Sequence, residues 1–307
     1  MYNIAIVGDL HIDTKVSSRK DDYFQTCLQK INEVCSNCKN IIFLGDVFNR
    51  PTLPNDYFSL FYTHLNYLKS VNGNNFYTII GNHDIYNENE ESLNKTALGL
   101  CKVTGLIDII TPENPMCIDG YKFYSGYVSL EKTKQYLKDT TFDLNSILLL
   151  HQYFEDTYEG LTYSDFEQVN CNKIFFGHEH TPFNNFRKIY GTKEFYRCGS
   201  LLRNSANDSN LSRHIYYFIL DNNEVKVCKL DNVQDAQDVF TEKAYNRENL
   251  NRNTFIKNIN EVVLKYKENI SVESKFSIKN ILTELNTSNQ CMAYIEEKYK
   301  TINEVFC

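Results

Sequence analysis

The chain has 307 residues, of which 42% are hydrophobic and 23% charged, and its formal net charge is −7. This length is enough for a large domain with a full core and a smaller unit, and the acidic balance gives nucleic-acid binding no support by itself. The N-terminus lacks a signal-peptide pattern and no apolar run is long enough for a bilayer, so we expect a cytoplasmic protein whose ten cysteines are reduced, with no membrane partner.

Short apolar runs alternate with helical stretches over the first two hundred residues. Runs with β-branched content occupy residues 4–7, 41–44, 78–80 and 147–150. Each is closed by glycine or a polar residue, which is typical of a buried strand. Apolar residues at helical spacing predict helices over residues 22–34 and 57–71. Alternating strands and helices indicate an α/β fold with right-handed crossovers.

The pattern changes towards the C-terminus. We predict one β-hairpin over residues 186–197 and a second over residues 214–230, whose turn is rich in Asp and Asn. Residues 231–253 are polar and are interpreted as a loop or linker. Three helical patterns follow in residues 254–307, and the last has the alternating spacing of a coiled-coil seam.

Three regions are therefore expected. They are a catalytic domain over residues 1–200, a capping β region and linker over 201–253, and a helical, partner-binding region over 254–307.

Five short motifs carry side chains that bind metals, and four of them begin where an apolar run stops. They are Gly8-Asp9-Leu10-His11, Gly45-Asp46, Gly81-Asn82-His83-Asp84, His151 and Gly177-His178-Glu179-His180. Strand ends of open α/β folds meet at one edge of a sheet, so we expect these side chains to converge there. The remaining histidines, His64 in a helical stretch and His214 at the start of a strand, are not assigned to the site.

Carboxylates mixed with imidazoles are suited to Mn²⁺, Fe²⁺, Zn²⁺ or Co²⁺ rather than Ca²⁺. Two such ions together promote in-line displacement at phosphorus, and a nearby histidine can give a proton to the leaving oxygen. The motifs therefore predict a metal-dependent hydrolase.

The ordered motifs resemble the calcineurin-like metallophosphoesterases, over residues 8–180. This resemblance implies a two-sheet sandwich flanked by helices, classed as α/β or, in some schemes, α+β. It implies two divalent ions, and the ligands of the first would be Asp9, His11, Asp46 and His180. The ligands of the second would be Asp46 as a bridge, Asn82, His151 and His178. It also implies that His83 donates a proton or stabilises the phosphate, with Asp84 orienting it.

Within that superfamily the chain is similar to the SbcD-type nucleases. The segment at residues 45–51, Gly-Asp-Val-Phe-Asn-Arg-Pro, resembles their second motif, and Gly-Ser-Leu-Leu-Arg at residues 199–203 resembles their junction with a capping domain. The resemblance implies a Mn²⁺-dependent DNA nuclease subunit that binds an SbcC-type ATPase through its C-terminal helices. Whether the subunit also forms a homodimer stays open. Its location would be the bacterial cytoplasm, or the host cytoplasm for a phage protein.

One position departs from this pattern, because relatives have a histidine or a carboxylate where this chain has Asn49. Asparagine forms hydrogen bonds but is neither an acid nor a base near neutral pH, so the balance of exonuclease and endonuclease activity stays open. Two alternatives also stay open. One is a small-molecule phosphodiesterase or protein phosphatase on the same scaffold, and the other is a catalytically silent scaffold for an ATPase or membrane-coat partner.

Overall fold

A computed structural model describes residues 2–154, 160–206 and 214–246. In these residues two six-stranded sheets pack face to face, and helices cover their outer faces. The predicted α/β sandwich of two sheets flanked by helices is confirmed. Among the described residues no helix is both long enough and apolar enough to cross a bilayer.

The first sheet is built mainly from the N-terminal part of the chain. Its strands are β1 (Tyr2–Val7), β2 (Cys38–Phe43), β3 (Asn75–Thr78), β4 (Asp108–Ile109), β11 (Tyr216–Asp221) and β12 (Glu224–Lys229). Their order across the sheet is β12-β11-β1-β2-β3-β4. Strands β1 to β4 are parallel, whereas β11 runs antiparallel to β1. The carboxyl ends of β1, β2 and β3 therefore lie along the same edge.

The second sheet uses the middle of the chain. Its strands are β5 (Met116–Ile118), β6 (Tyr121–Ser125), β7 (Ile147–Leu150), β8 (Lys173–Phe176), β9 (Arg187–Tyr190) and β10 (Lys193–Tyr196). They are arranged in the order β5-β6-β7-β8-β10-β9, with β6, β7, β8 and β10 parallel. Strands β9 and β10 are antiparallel neighbours, which confirms the predicted hairpin.

Helices begin and end where the local sequence allows it. They are α1 (Tyr23–Asn37), α2 (Asn55–Asn72), α3 (Ala97–Val103), α4 (Leu130–Asp139) and α5 (Ala236–Val239). Helix α1 starts after Asp22, whose side chain accepts a hydrogen bond from the backbone N–H of Gln25 at 3.1 Å. Helix α2 ends at Gly73, whose φ of 68° is easily reached by glycine. Short 3₁₀ segments occupy Asn82–Asp84, Glu90–Lys95, Tyr163–Phe166 and Asn184–Phe186.

The alternation of side chains along each strand divides the core into layers. In β1, Ile4 and Ile6 belong to the cluster between the two sheets, while Ala5 and Val7 belong to the cluster under α1, α2 and α3. A third cluster fills the outer face of the second sheet, beneath α4. Buried residues on both faces explain why these strands have continuous apolar sequences. The strand ends that carry the motifs are thus held by a rigid core.

Two features stand out in the described part of the expected capping β region and linker, residues 201–206 and 214–246. The hairpin of β11 and β12 forms as predicted, but β11 pairs with β1 and so extends the first sheet. The polar segment after residue 230 contains α5, and Phe240 is fully buried against Ala206, Ala236 and Val239. Its few apolar residues pack despite a polar average composition. The helices predicted in residues 254–307 lie outside the described residues.

Candidate metal centre

The motif side chains follow the carboxyl ends of five parallel strands, but these strands belong to two sheets. Asp9, Asp46 and Asn82 follow β1, β2 and β3 of the first sheet. His151 and His178 follow β7 and β8 of the second sheet. The expectation that one sheet edge would carry the site is therefore corrected. The two sheets share this edge, and the side chains meet between them.

The backbone at the site takes conformations that L-residues rarely adopt. His11, Asp46 and His178 have φ values of 50°, 46° and 77°. Each lies in the left-handed region, which costs free energy for a residue with a side chain and is concentrated at functional sites. Surrounding hydrogen bonds fix this geometry, because the carbonyl of Asp46 accepts the backbone N–H groups of Leu10 and His11 at 3.1 and 2.8 Å. The ligand atoms of His11 and His178 each lie within 4.8 Å of a carboxylate oxygen of Asp46.

Nitrogen and oxygen ligand atoms converge in three overlapping groups, in each of which the atoms lie within 4.8 Å of one another. The groups are Asp9, His11 and His180; His11, Asp46 and His83; and Asp46, His151 and His178. Asn82 joins the third, since its Oδ1 lies 3.1 Å from both His151 Nε2 and His178 Nδ1. All seven residues predicted as metal ligands are brought together, and Asp46 is common to two groups.

The group around Asp9 is closely spaced. The Nε2 atoms of His11 and His180 are 2.9 Å apart. Asp9 Oδ2 lies 3.7 Å from the first and 3.6 Å from the second of these nitrogens. Asp9 and His11 are buried, while the side chain of His180 keeps 22% of its surface exposed. Two imidazoles and a carboxylate therefore point at one small volume that opens to solvent on the His180 side.

The surroundings of His151 fit a cation. Its Nδ1 donates a hydrogen bond to the carbonyl of Leu44 at 2.7 Å, so in the neutral ring Nε2 has only a lone pair. That Nε2 lies 3.2 Å from Asp46 Oδ2 and 3.3 Å from His178 Nδ1. A carboxylate cannot donate a hydrogen bond, so a cation among these atoms and Asn82 Oδ1 satisfies the whole set. Mixed oxygen and nitrogen donors of this kind suit divalent transition metals.

The electrostatics of the site also favour binding of a cation. Burial opposes the charged form of His151, but the carboxylates of Asp46 and Asp9 raise its pKa to about 10. Burial likewise opposes ionisation of Asp46, and His151 and His11 nevertheless hold its pKa far below the ordinary value. Burial and the neighbouring His151 lower the pKa of His178 to about 4, so this imidazole is neutral at pH 7. The buried carboxylates thus attract positive charge, and a neutral imidazole is ready to coordinate it.

Two motif glycines are required by close contacts. A Cβ on Gly81 would lie 2.1 Å from both the backbone N and Oδ1 of Asp46. On Gly177 it would lie 2.1 Å from the carbonyl of Leu44 and 2.9 Å from Asp9 Oδ1. Real Cβ atoms do not approach other atoms so closely, so only glycine permits these chain segments to pass beside the carboxylates. Steric fit explains these glycines, since neither has a positive φ.

The structure places His83 beside the site but changes the expected role of Asp84. His83 Nδ1 donates a hydrogen bond to the backbone carbonyl of Asn49 at 2.8 Å. The carboxylate of Asp84 instead accepts the backbone N–H groups of Phe48 and Gly81, at 3.0 and 3.1 Å. Asp84 is fully buried, and burial together with the Asp46 charge raises its pKa to about 7. Asp84 therefore stabilises the two loops that contain Phe48 and Gly81, and the Asn49 carbonyl orients the His83 ring.

The predicted set of site residues did not include several others that shape the site. Asp13 is buried and binds the side chains of Asn49 and Arg50. Its signal was the continued spacing Asp9-x-His11-x-Asp13. Glu179, between the two motif histidines, forms an ion pair with buried Arg197. The Tyr153 ring contacts the His178 ring edge-on, with centroids 4.1 Å apart, and no sequence pattern marked it.

A two-sheet sandwich with carboxylates, imidazoles and an amide meeting at the shared edge defines a metal-dependent hydrolase. The family profile described as calcineurin-like phosphoesterase matches residues 2–182. The chain belongs to the calcineurin-like phosphoesterase family, and this membership implies a metal-dependent phosphoesterase.

Solved structures with similar folds share little sequence with this chain. One crystal structure is 10% identical, over 74% of this chain and 98% of its own, with a TM-score of 0.48. Vacuolar Protein Sorting 29 from Cryptosporidium parvum is 13% identical, over 75% of this chain and 97% of its own, with a TM-score of 0.31. No curated protein matches the chain by sequence.

Proposed function

We propose that this phosphoesterase is a Mn²⁺-dependent DNA nuclease subunit that acts with an SbcC-type ATPase in the processing of DNA ends. The observation that carries the proposal is the complete donor set at the shared sheet edge, in which Asp46 is common to two groups. The SbcD-like sequence at residues 45–51 and 199–203 adds the substrate class. The second of these segments is part of the site's framework, because Leu201 N–H donates to the Asp9 carbonyl at 2.9 Å.

Seven side chains would hold two divalent ions in this proposal. The first would be held by Asp9, His11, Asp46 and His180, and the second by Asp46, Asn82, His151 and His178. The ions would supply Lewis acidity at phosphorus and lower the pKa of an attacking water. We choose Mn²⁺ because oxygen and imidazole donors in nearly equal number suit it, although the same donors also accept Fe²⁺, Zn²⁺ and Co²⁺.

His83 is the proposed proton donor to the leaving oxygen. A nitrogen of its ring lies within 4.8 Å of ligand atoms of His11 and Asp46, so it is next to the proposed shared ligand of the two ions. Because Nδ1 is bound to the Asn49 carbonyl, Nε2 is the nitrogen left to hold the proton that is donated. Asp46 Oδ1 also accepts the backbone N–H of His83 at 2.8 Å. The loop that carries the donor is thereby fixed to the shared ligand.

DNA affinity would come largely from the partner. The chain carries a net charge of −7, and DNA is bound mainly through contacts of Lys and Arg with phosphate. A bound pair of divalent ions would offset four negative charges at the site itself. The proposed partner-binding helices are in residues 254–307, and replacing both Ile295 and Ile302 with Glu should weaken co-purification with the ATPase. Undiminished co-purification would remove the last helix from the interface.

The proposal is tested by comparing two substrates for the full chain, with and without the ATPase subunit. With Mn²⁺ we expect degradation of linear duplex DNA that EDTA abolishes. His83→Gln should keep the metal content and lower turnover by about 100-fold or more, the usual contribution of a positioned acid.

Other outcomes point to the alternatives. Rapid hydrolysis of a small chromogenic phosphodiester with DNA left intact, even in the presence of the ATPase, would favour a small-molecule phosphodiesterase. Activity on neither substrate with both ions bound would favour a silent scaffold.

A further inference from the structure

A buried carboxylate close to the metal centre has no part in the donor groups. Asp13 keeps 2% of its surface exposed and lies two residues after His11. Its Oδ2 accepts hydrogen bonds from Asn49 Nδ2 at 2.8 Å and from Arg50 Nη2 at 2.7 Å. Its Oδ1 accepts from the backbone N–H of Thr14 at 2.7 Å and from the same guanidinium nitrogen at 2.9 Å.

These contacts make Asp13 a poor metal ligand. Both of its oxygens are already engaged by three donor nitrogens, so little lone-pair capacity is left for an ion. Its ion pair with Arg50 extends to the surface, where the Arg50 side chain is 57% exposed. Exposed ion pairs stabilise proteins little, so the salt bridge alone does not explain a buried carboxylate here.

The contact with Asn49 leads back to the site. Asn49 uses its side chain to bind Asp13 and its backbone carbonyl to accept Nδ1–H of His83 at 2.8 Å. Its backbone N–H donates to the Ile12 carbonyl at 3.0 Å, so the residue is held at three points. One of the three, the side-chain contact, depends on the carboxylate of Asp13. A shift of Asn49 would therefore move the carbonyl that orients the His83 ring.

We propose that Asp13 is a positioning residue for His83, acting through Asn49. This inference rests on the proposed role of His83 in phosphodiester hydrolysis. Asp13 holds the side chain of Asn49, and the backbone carbonyl of Asn49 orients the imidazole of His83.

Steady-state kinetics of the Mn²⁺-loaded full chain on a phosphodiester test the proposal. Asp13→Ala should lower kcat by about 10- to 100-fold, because small misplacement of a reacting group is costly, while KM changes by about twofold or less. The decisive comparison is a double-mutant cycle with His83→Gln. Asp13→Ala should cost almost nothing further in the His83→Gln background. Fully additive losses would overturn the proposal.

A matched control separates positioning from the general loss of an aspartate–arginine ion pair. Asp21 is likewise paired with an arginine: it accepts hydrogen bonds from two nitrogens of Arg19, at 2.8 and 2.6 Å, and from the hydroxyl of Thr26 at 2.7 Å, and it belongs to none of the donor groups. Asp21→Ala should therefore leave kcat within about twofold of wild type. Exchanging the two side chains gives a second control. Asn49→Asp alone should lower kcat, because its carboxylate would face that of Asp13. Adding Asp13→Asn should restore an amide–carboxylate pair and with it kcat.

A spectroscopic measurement gives a readout independent of activity. In the metal-free protein labelled with ¹⁵N-histidine, a hydrogen-bonded Nδ1–H signal should vanish in His83→Gln, which assigns it to His83. That signal should broaden or shift in Asp13→Ala and remain in Asp21→Ala. An unchanged signal and unchanged kcat in Asp13→Ala would refute the positioning role. If instead His83→Gln does not change kcat, the proposed role of His83 in catalysis is refuted. This outcome is distinct from failure of the Asp13 proposal alone, in which His83→Gln lowers kcat and Asp13→Ala does not.

Discussion

Replacement of Asp46 by Asn should remove the stabilisation that the chain gains from divalent ions. Asp46 Oδ2 lies 3.5 Å from His11 Nε2 and 3.2 Å from His151 Nε2, so one carboxylate is close to a proposed ligand of each ion. Its Oδ1 accepts the backbone N–H of His83 at 2.8 Å, and an amide oxygen can still accept that bond. The substitution therefore removes the shared negative charge while it preserves the local fold.

The size of the effect follows from linkage. An ion present at one hundred times its Kd stabilises a folded protein by about 2.7 kcal/mol, so two such ions contribute about 5 kcal/mol. For a domain of this size each kcal/mol shifts Tm by roughly 2–4 °C, which gives a metal-dependent shift of about 10–20 °C. In Asp46→Asn both donor groups lose their common ligand. The expected shift in the variant is a few degrees or none.

The assay is thermal unfolding of wild type and Asp46→Asn, each with Mn²⁺ and with EDTA. Asp21→Asn serves as a control, because it changes a carboxylate paired with Arg19 away from the donor groups and should keep the full wild-type shift. A full metal-dependent shift in Asp46→Asn would refute the assignment of Asp46 as the shared ligand. A small shift in wild type itself would refute the reasoning about two tight sites.

Three further outcomes are expected. Because the pKa of His151 is raised to about 10, the metal-free site holds a proton below that pH, and Mn²⁺ binding should release about one proton between pH 7 and 9. The affinity for Mn²⁺ should therefore increase by up to tenfold for each unit that the pH rises in this range. Calorimetry in buffers of different ionisation enthalpy measures the proton release, and an affinity that does not depend on pH would contradict the prediction. Gly81→Ala should lose Mn²⁺ binding, because the added Cβ would clash with Asp46. Gly191→Ala should keep it, because a Cβ at that position would contact no other part of the chain within 4 Å. Equal metal contents in the two variants would contradict the steric argument. Phe154→Ala should destabilise the chain by about 3–5 kcal/mol, since its fully buried ring stacks on Phe195; chemical denaturation would show a smaller loss if the cavity collapses.

The layers of the fold and the convergence of the motifs were predictable for a physical reason. Strands buried on both faces have apolar runs that end abruptly, and the first residues beyond Val7, Phe43 and Leu150 are the ones that enter the site. Parallel strands have their carboxyl ends on the same side, so ligands distant in sequence meet. The local sequence was therefore enough to predict which side chains converge at this edge.

Other features depend on contacts that no local pattern encodes. The pairing of Ile4 with Leu220 places β11 within the first sheet, although its sequence indicates only a hairpin. The hydrogen bond from His83 to Asn49 uses a backbone carbonyl, which every residue possesses. The family resemblance implied the neighbouring carboxylate of Asp84 as the partner of His83, and no sequence pattern pointed to this carbonyl. Long-range register and backbone acceptors become visible only in three dimensions.

The central claim is that a pair of divalent ions binds at the shared edge of the two sheets, with Asp46 between them. Crystals grown with Mn²⁺ and measured near the manganese absorption edge test it most directly. We predict two anomalous peaks, one in contact with Asp9, His11 and His180 and the other with Asn82, His151 and His178, both in contact with Asp46. A fully occupied crystal with peaks elsewhere, or with no peak touching Asp46, would contradict the account.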